Sequence, residues 1–290
     1  MAIGITLCTK LDITFIHIIK NKERIIMYFR KNLMKEKLQR GEMVLGMEVW
    51  TKSTRIIELL GYAGFDFAHI ENEHVAHNWE TVENLIITAE SVGLTAHYRT
   101  EQCFDGQPPV NEIIKALKCG AQNIMVPHVD TAEAAKKVVA AAKYPPLGRR
   151  GIATCDRAPL GIPATETLDI QKFTQEANEQ LLLWAIVESP EGVENIDGIL
   201  DAGIDVVVFG HQDYSIAAGL TSETDAAVDK ARKKVRDAVL SRKNKYLCLN
   251  TKDMEIIKEQ RKLGTQIFLI SVDVVHLNNL FKSMIKELKG

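Results

Sequence analysis

The sequence predicts an α/β fold, a single (β/α)8 TIM barrel, and three observations carry that prediction. Eight short apolar runs alternate with amphipathic stretches from Lys35 onward, and several runs carry few polar residues at either parity, as strands buried on both faces do. Glycine stands just past five of the helical stretches, where a left-handed cap is needed. The chain has 290 residues, and barrels of this kind commonly reach about 250 residues as one domain. Strand–helix alternation implies parallel strands joined by right-handed crossovers. Eight such units fit a closed barrel better than an open sheet.

Taken in order, residues 1–33 read as an extension outside the core, and 34–290 as the barrel domain. Ala2 to Ile19 is fairly apolar, but Lys10, Asp12 and His17 interrupt it. It is too short and too interrupted for a membrane span, and it lacks the basic start and cleavage pattern of a signal peptide. The first predicted strand is 43–49, followed by a helix over 55–63 and the turn Gly64-Phe65-Asp66. The second strand, 65–71, precedes a helix over 79–92 and the turn Gly93-Leu94. The third strand is 94–99. The turn Cys119-Gly120-Ala121 leads into the fourth strand, 123–129, and a helix over 131–142. Residues 144–179, rich in Pro, Gly and Arg, have no clear strand. They read as a long loop with some helix, and long loops usually serve an active site. The fifth strand, 181–188, is followed by a helix over 193–202 and the turn Ala202-Gly203-Ile204. The sixth and seventh strands are 205–210 and 246–250. A helix over 254–263 ends at Leu263-Gly264 before the eighth strand, 267–273. The last segment, 277–288, is an amphipathic helix with Leu280, Phe281, Met284, Ile285 and Leu288 on one side.

Hydrophobic residues make up 46% of the chain and charged residues 26%, and the formal net charge is −2. That balance argues against a nucleic-acid or anionic-membrane partner, which needs a basic patch. No Walker A, G-x-G-x-x-G or helix–turn–helix pattern is present. The five cysteines, Cys8, Cys103, Cys119, Cys155 and Cys248, are scattered and form no C-x-x-C pair. A disulfide framework is therefore not expected, and a reducing, cytoplasmic setting is.

A barrel's site sits at the C-terminal ends of its strands. That rule selects Glu48, Glu71, Glu73, His74, Arg99, Pro127, His128, Glu188, His211 and Asp213, from six strands. Glu188 and Asp213 end adjacent strands, and hard oxygen ligands there suit Mg²⁺, Mn²⁺ or Co²⁺; they also read as strand-end acids satisfied by helix N-termini. Arg99 can stabilise charge developing on a carbonyl oxygen or simply pair with Glu71 or Glu73. His74 has the chemistry of a general base.

Glu73-His74 after a strand, Arg99 at a strand end, Val187-Glu188-Ser189 and Gly210-x-x-Asp213-x-Ser215 together resemble the HpcH/HpaI family of class II, metal-dependent pyruvate aldolases. Further matches are Gly64-Phe65-Asp66, Gly120-Ala121-Gln122, Val126-Pro127, Tyr144-Pro145-Pro146-x-Gly148-x-Arg150-Gly151 and Glu191-Gly192-Val193-Glu194-Asn195. The resemblance runs from about Lys35 to the C-terminus. It implies a barrel of the phosphoenolpyruvate/pyruvate type and a carbon–carbon lyase. The implied reaction is reversible, divalent-metal-dependent cleavage of a 4-hydroxy-2-oxo acid, of the 2-keto-3-deoxy sugar acid type, to pyruvate and an aldehyde through an enolate. It also implies roles. Glu188 and Asp213 would hold the metal, and Arg99 would face the 2-oxo oxygen. His74 would serve the proton transfers, with Glu71 beside it. Thr154 and the amides around Gln212 would hold the pyruvate carboxylate. A homo-oligomer is implied too, a hexamer or trimer of dimers with the last helix crossing between subunits.

The chain departs from the family pattern at several positions. Glu71 stands where aspartate is usual, and Ile186 where glutamine is usual. His211 replaces a proline beside the carboxylate-binding amides, Thr100 replaces the proline after the arginine, and Glu48 is an added acid at the first strand end. An acid at the rim rejects an anionic acceptor by like-charge repulsion, so a neutral or cationic aldehyde is expected unless Glu48 pairs with Arg150 or Arg157. Three rival readings stand beside this one. They are a zinc hydrolase on His69, Glu73, His74 and His77, a citrate-synthase-like condensing enzyme using a metal-held 2-oxo acid, and a catalytically inactive binding relative. For His69 itself, a core histidine bonded to a neighbour such as His97 is the expected state.

Overall fold

The computed structural model describes residues 28–159 and 168–289. Its strands are β1 (Val44–Val49), β2 (Phe67–Ile70), β3 (Thr95–Arg99), β4 (Asn123–Val126), β5 (Leu182–Val187), β6 (Val206–Phe209), β7 (Tyr246–Asn250) and β8 (Ile267–Val272). They pair in sequence order, all parallel, and β8 returns to β1 to close the barrel. The described helices are α1 (Leu33–Gln39), α2 (Thr54–Ala63), α3 (Trp79–Ser91), α4 (Val110–Cys119), α5 (Ala132–Ala142), α6 (Ile170–Gln180), α7 (Pro190–Glu194), α8 (Ile196–Asp201), α9 (His211–Ala217), α10 (Ala226–Leu240), α11 (Met254–Lys262) and α12 (Asp273–Lys289).

The two-residue period of each strand divides the core. Residues such as Ile70, Ala96, Ile124 and Val207 pack outward against the helices, while Phe67, Met125, Trp184, Ile186, Val206 and Leu269 fill the interior. Gly46 is part of that filling, because a Cβ there would lie 2.2 Å from the Phe67 ring. The glycines expected to cap helices do so. Gly64 and Gly120 end α2 and α4 with φ of 90° and 107°, and Gly93, Gly203 and Gly264 also have positive φ. The helix expected over 193–202 is divided at Asn195, which caps both α7 and α8 and donates from Nδ2 to the Asp130 carbonyl at 2.9 Å.

Two features differ from the sequence reading. Residues 28–33, assigned there to the extension, are packed parts of the fold. Asn32 caps α1 by accepting from the Lys35 amide at 3.0 Å, and its Nδ2 reaches Asn123 Oδ1 at 2.9 Å. Tyr28 and Phe29 pack on Phe173 with ring centroids 5.6 and 4.8 Å apart. α1 then closes the N-terminal end of the barrel, with Met34 and Leu38 buried in the interior cluster. The rest of the expected extension, 1–27, lies outside the described residues. The long loop after α5 is the second difference. Arg150 N bonds the Lys143 carbonyl at 3.0 Å, and Ala158 N bonds the Lys118 carbonyl at 3.2 Å. Arg157 donates to the Cys119 carbonyl at 2.9 Å and pairs with Glu90. These anchors lie where helices end and strands begin, opposite the barrel mouth, so the described part of this loop does not border the mouth of its own barrel.

Candidate active site

At the C-terminal ends of the strands the barrel opens into a cavity of about 320 Å³. Glu48, His74, Arg99, Ile186, Glu188, His211, Gln212 and Asp213 all line it. Glu71 lies just beneath, fully buried and in contact with Arg99 and His74. Thr154 is not among the lining residues, because both flanks of its loop are tied to the other end of the barrel. The sequence reading thus places ten residues, of which the structure gathers nine.

Glu188 follows β5, a wholly apolar and fully buried strand, and is itself buried. Its Oε1 accepts from the His128 amide at 2.9 Å, with the His128 ring 3.6 Å away. His128 holds a left-handed backbone, φ 54°, that aims this amide. Oε2 accepts no hydrogen bond among the described residues. Burial pushes the Glu188 carboxyl up to about 7; the His128 ring and amide offset part of this, and Asp213 adds to it. Gly210, at the start of α9, completes the cradle, since a Cβ there would meet Glu188 Oε2 at 2.5 Å. Two carboxylates on adjacent strand ends, one of them buried with an unbonded oxygen, are a donor set that fits a hard divalent cation. Among the described residues, no cluster of three His, Cys, Asp or Glu ligands includes this pair. Two others do form among the described residues, Glu48–His69–Glu71 and Glu71–Glu73–His74.

Arg99 forms the expected acid pairs and remains open to the cavity. Its Nη1 donates to Glu71 Oε2 at 3.2 Å and its Nη2 pairs with Glu73 Oε2, while it still lines the cavity. Glu71 Oε1 accepts from the amides of Glu73 and His74 at 2.7 and 3.0 Å. Burial opposes the Glu71 charge, but His69, Arg99 and the His74 amide together hold its carboxyl down at about 2. Burial raises Glu73, against the opposing pull of Arg99. His74 is half-exposed; its Nδ1 lies 3.4 Å from Glu71 Oε1, and its ring stacks on Trp50 at 5.7 Å with an interplanar angle of 2°. Glu71 therefore orients the imidazole from one side and Trp50 from its face.

Glu48 does not pair with Arg150 or Arg157. Arg150 lies over the Tyr144 ring, 4.7 Å from its centroid, and Arg157 pairs with Glu90. Glu48 instead accepts from Asn250 Nδ2 at 2.5 Å and from Trp50 Nε1 at 3.2 Å. His69 is not hydrogen-bonded to His97; the rings stack 4.6 Å apart. Sequence reasoning missed Trp50, Asn250 and Asp273. Asp273 is buried and accepts from the amides of Trp50 and Thr51 at 3.0 and 3.1 Å and from Thr51 Oγ1 at 2.7 Å, fixing the loop that carries Trp50. Asn250 and Asp273 end the seventh and eighth predicted strands, so the strand-end rule applied to all eight strands would have found both.

Residues 51–279 match the HpcH/HpaI aldolase/citrate lyase family. The chain belongs to that family. It is an enzyme, a carbon–carbon lyase of the aldehyde-lyase class. Its relatives include the 2-keto-3-deoxy-L-rhamnonate aldolase of Escherichia coli K12, 33% identical over 190 residues, which are 65% of this chain and 67% of that one. Among solved structures, the citrate synthase SbnG superposes with a TM-score of 0.77 at 28% identity, covering 88% of this chain and 97% of that one. The HpcH/HpaI aldolase of Desulfitobacterium hafniense DCB-2 gives 0.77 at 26% identity, covering 91% and 97%. Family membership sets aside the zinc-hydrolase reading. No helix among the described residues is long and apolar enough to cross a membrane.

Proposed function

We propose that the barrel mouth carries out reversible, divalent-metal-dependent cleavage of a 4-hydroxy-2-oxo acid, of the 2-keto-3-deoxy sugar acid class, to pyruvate and an aldehyde. The observation that carries this reading is that Arg99, the Glu71-oriented His74 and the Glu188–Asp213 pair face one cavity. Mg²⁺, Mn²⁺ or Co²⁺ held by Glu188 and Asp213 would supply Lewis acidity to the 2-oxo group, making the adjacent protons removable. Arg99 stabilises the negative charge that develops on the 2-oxo oxygen. His74, with Nδ1 directed to Glu71, presents Nε2 as the base and acid for the aldol hydroxyl. The amides of His211, Gln212 and Asp213 open α9, take no backbone acceptor among the described residues, and suit the substrate carboxylate. Ile186 gives the pocket an apolar wall, and His211 and the buried Glu48 also line it. Glu48 has no cationic side-chain partner among the described residues, only Asn250 and Trp50, which supports a neutral or cationic aldehyde over an anionic one while no ion is held there.

The similarity to a citrate synthase across nearly that whole chain supports a second reading, condensation of a 2-oxo acid with an acyl donor in the same cavity. The five expected contact residues of α12, Leu280, Phe281, Met284, Ile285 and Leu288, are exposed rather than packed on their own barrel. A homo-oligomer, hexameric or a trimer of dimers, would cover them. The four described cysteines are free thiols, in keeping with a cytoplasmic setting.

Proton–deuterium exchange at the methyl group of pyruvate, run with a panel of divalent metals, tests the reading without knowledge of the aldehyde. Metal-dependent exchange, abolished in Glu188→Ala and in Asp213→Ala, is expected. Undiminished exchange in either variant, with the same metal titration curve, would overturn the assignment. Product analysis with oxaloacetate and acyl donors separates the condensing reading.

A further inference from the structure

We propose that Glu48, His69 and Glu71 form a second divalent-cation site on the floor of the mouth, separate from the Glu188–Asp213 pair. The β1–β2 register sets Glu48 beside His69, and the two-residue period brings Glu71 to the same side of β2 as His69. One ligand atom from each lies within 4.8 Å of the other two, and all three residues are buried. Octahedral and tetrahedral shells at about 2.1 Å set neighbouring ligand atoms about 3.0–3.4 Å apart, so the triangle would close by up to about 1.8 Å on binding an ion.

The independent observation is His69. It is 1% exposed, and neither ring nitrogen has a hydrogen-bond partner among the described residues. Its Nε2 points to Glu71 Oε2 at 3.6 Å. His97, stacked on its other side, is equally unpartnered and cannot satisfy it by stacking. A buried polar atom left without a partner needs an explanation, and an unfilled ion position is one.

The neighbouring groups leave room for the ion. Asn250 and Trp50 each donate once to Glu48, and each carboxylate oxygen has two acceptor positions. Arg99 is the cation facing the cluster, through Glu71 Oε2. Its second anchor, Glu73, lies outside the triad, so an ion on Glu71 leaves Arg99 held by Glu73 and frees Nη1 toward the mouth. Glu71 keeps Oε1 for His74. One imidazole and two carboxylates favour Mn²⁺, Co²⁺ or Zn²⁺ over Mg²⁺.

The test is Co²⁺ binding to the metal-free full chain, read by equilibrium dialysis and visible absorption. The wild type should bind two equivalents per chain. The double variant Glu188→Gln/Asp213→Asn should keep one, which His69→Gln in that background removes. Glu48→Gln is the second probe if His69→Gln does not fold, and should weaken the remaining equivalent at least tenfold. One equivalent in the wild type with none left in the double variant would overturn the proposal, as would a retained equivalent that is indifferent to both substitutions. Failure of the lyase reading would instead appear as absent pyruvate exchange with both equivalents bound.

Discussion

Gly210→Ala is the most exacting probe of the Glu188 cradle. Gly210 has φ −81° and ψ 88°, a backbone that alanine adopts without strain, so the effect is steric alone. The new methyl carbon would stand 2.5 Å from Glu188 Oε2 and 2.7 Å from Glu188 Cβ. The carboxyl end could swing away, but the Cβ is fixed by the end of β5. Ordinary contact begins at 3.4 Å, so 3.4 − 2.7 leaves 0.7 Å of displacement to share between two strand ends. A misplacement near 1 Å at a working group costs on the order of 10² in rate, and overpacking costs about 1–3 kcal/mol of stability. The assay is pyruvate methyl exchange across a metal titration, with thermal melting alongside. Exchange should fall about 10²-fold and the half-saturating metal concentration should rise, in a protein that still melts cooperatively. An unchanged titration midpoint and rate would refute the idea that this glycine is required by a fixed Glu188.

Three further predictions follow from the same geometry. Because burial raises the Glu188 carboxyl to about 7, metal affinity should fall about tenfold per pH unit below that value, as the ligand must lose its proton. Without metal, the folded chain holds this proton while the unfolded chain releases it near 4.5. The wild type should therefore lose stability relative to Glu188→Gln as pH rises through that window, and parallel melting curves across it would contradict the assignment. Arg99→Ala should slow exchange by about 10²–10³, whereas His74→Ala should impair carbon–carbon cleavage more than exchange; turnover in both variants equal to the wild type would remove them from the mechanism. Phe281→Asp with Ile285→Asp on the exposed face of α12 should dissociate an oligomer seen by light scattering, and a monomeric wild type would reject the assembly.

The barrel was legible because strands buried on both faces leave an unbroken apolar run. The fifth strand is the clearest case, with every residue of β5 buried. The glycine caps punctuate the other end of each unit, and their positive φ values are demanded by the backbone rather than by any contact. Residues 28–33 were not legible. Asn32, Tyr28 and Phe29 gain their places from partners about 90 to 150 residues away, and no local periodicity marks such contacts.

The site divides along the same line. Glu48, Arg99, Glu188 and Asp213 were found because strand parity and strand ends point them into one opening. Thr154 does not line the mouth of its own barrel, and motif similarity does not say at which end of the barrel a loop sits. The order of elements does: a connection that leaves a helix and enters a strand must lie at the N-terminal end of a parallel barrel, and residues 143–159 follow α5 and lead through α6 to β5. His69 went the other way. Its position within a strand marked it as a core histidine, which its burial bears out. Yet the same parity that hides it from solvent sets it beside Glu48 and below Glu71. Burial and function are usually read as alternatives for such a residue. In the interior of a barrel they are successive layers of one column of side chains, and the layer beneath the mouth can belong to both.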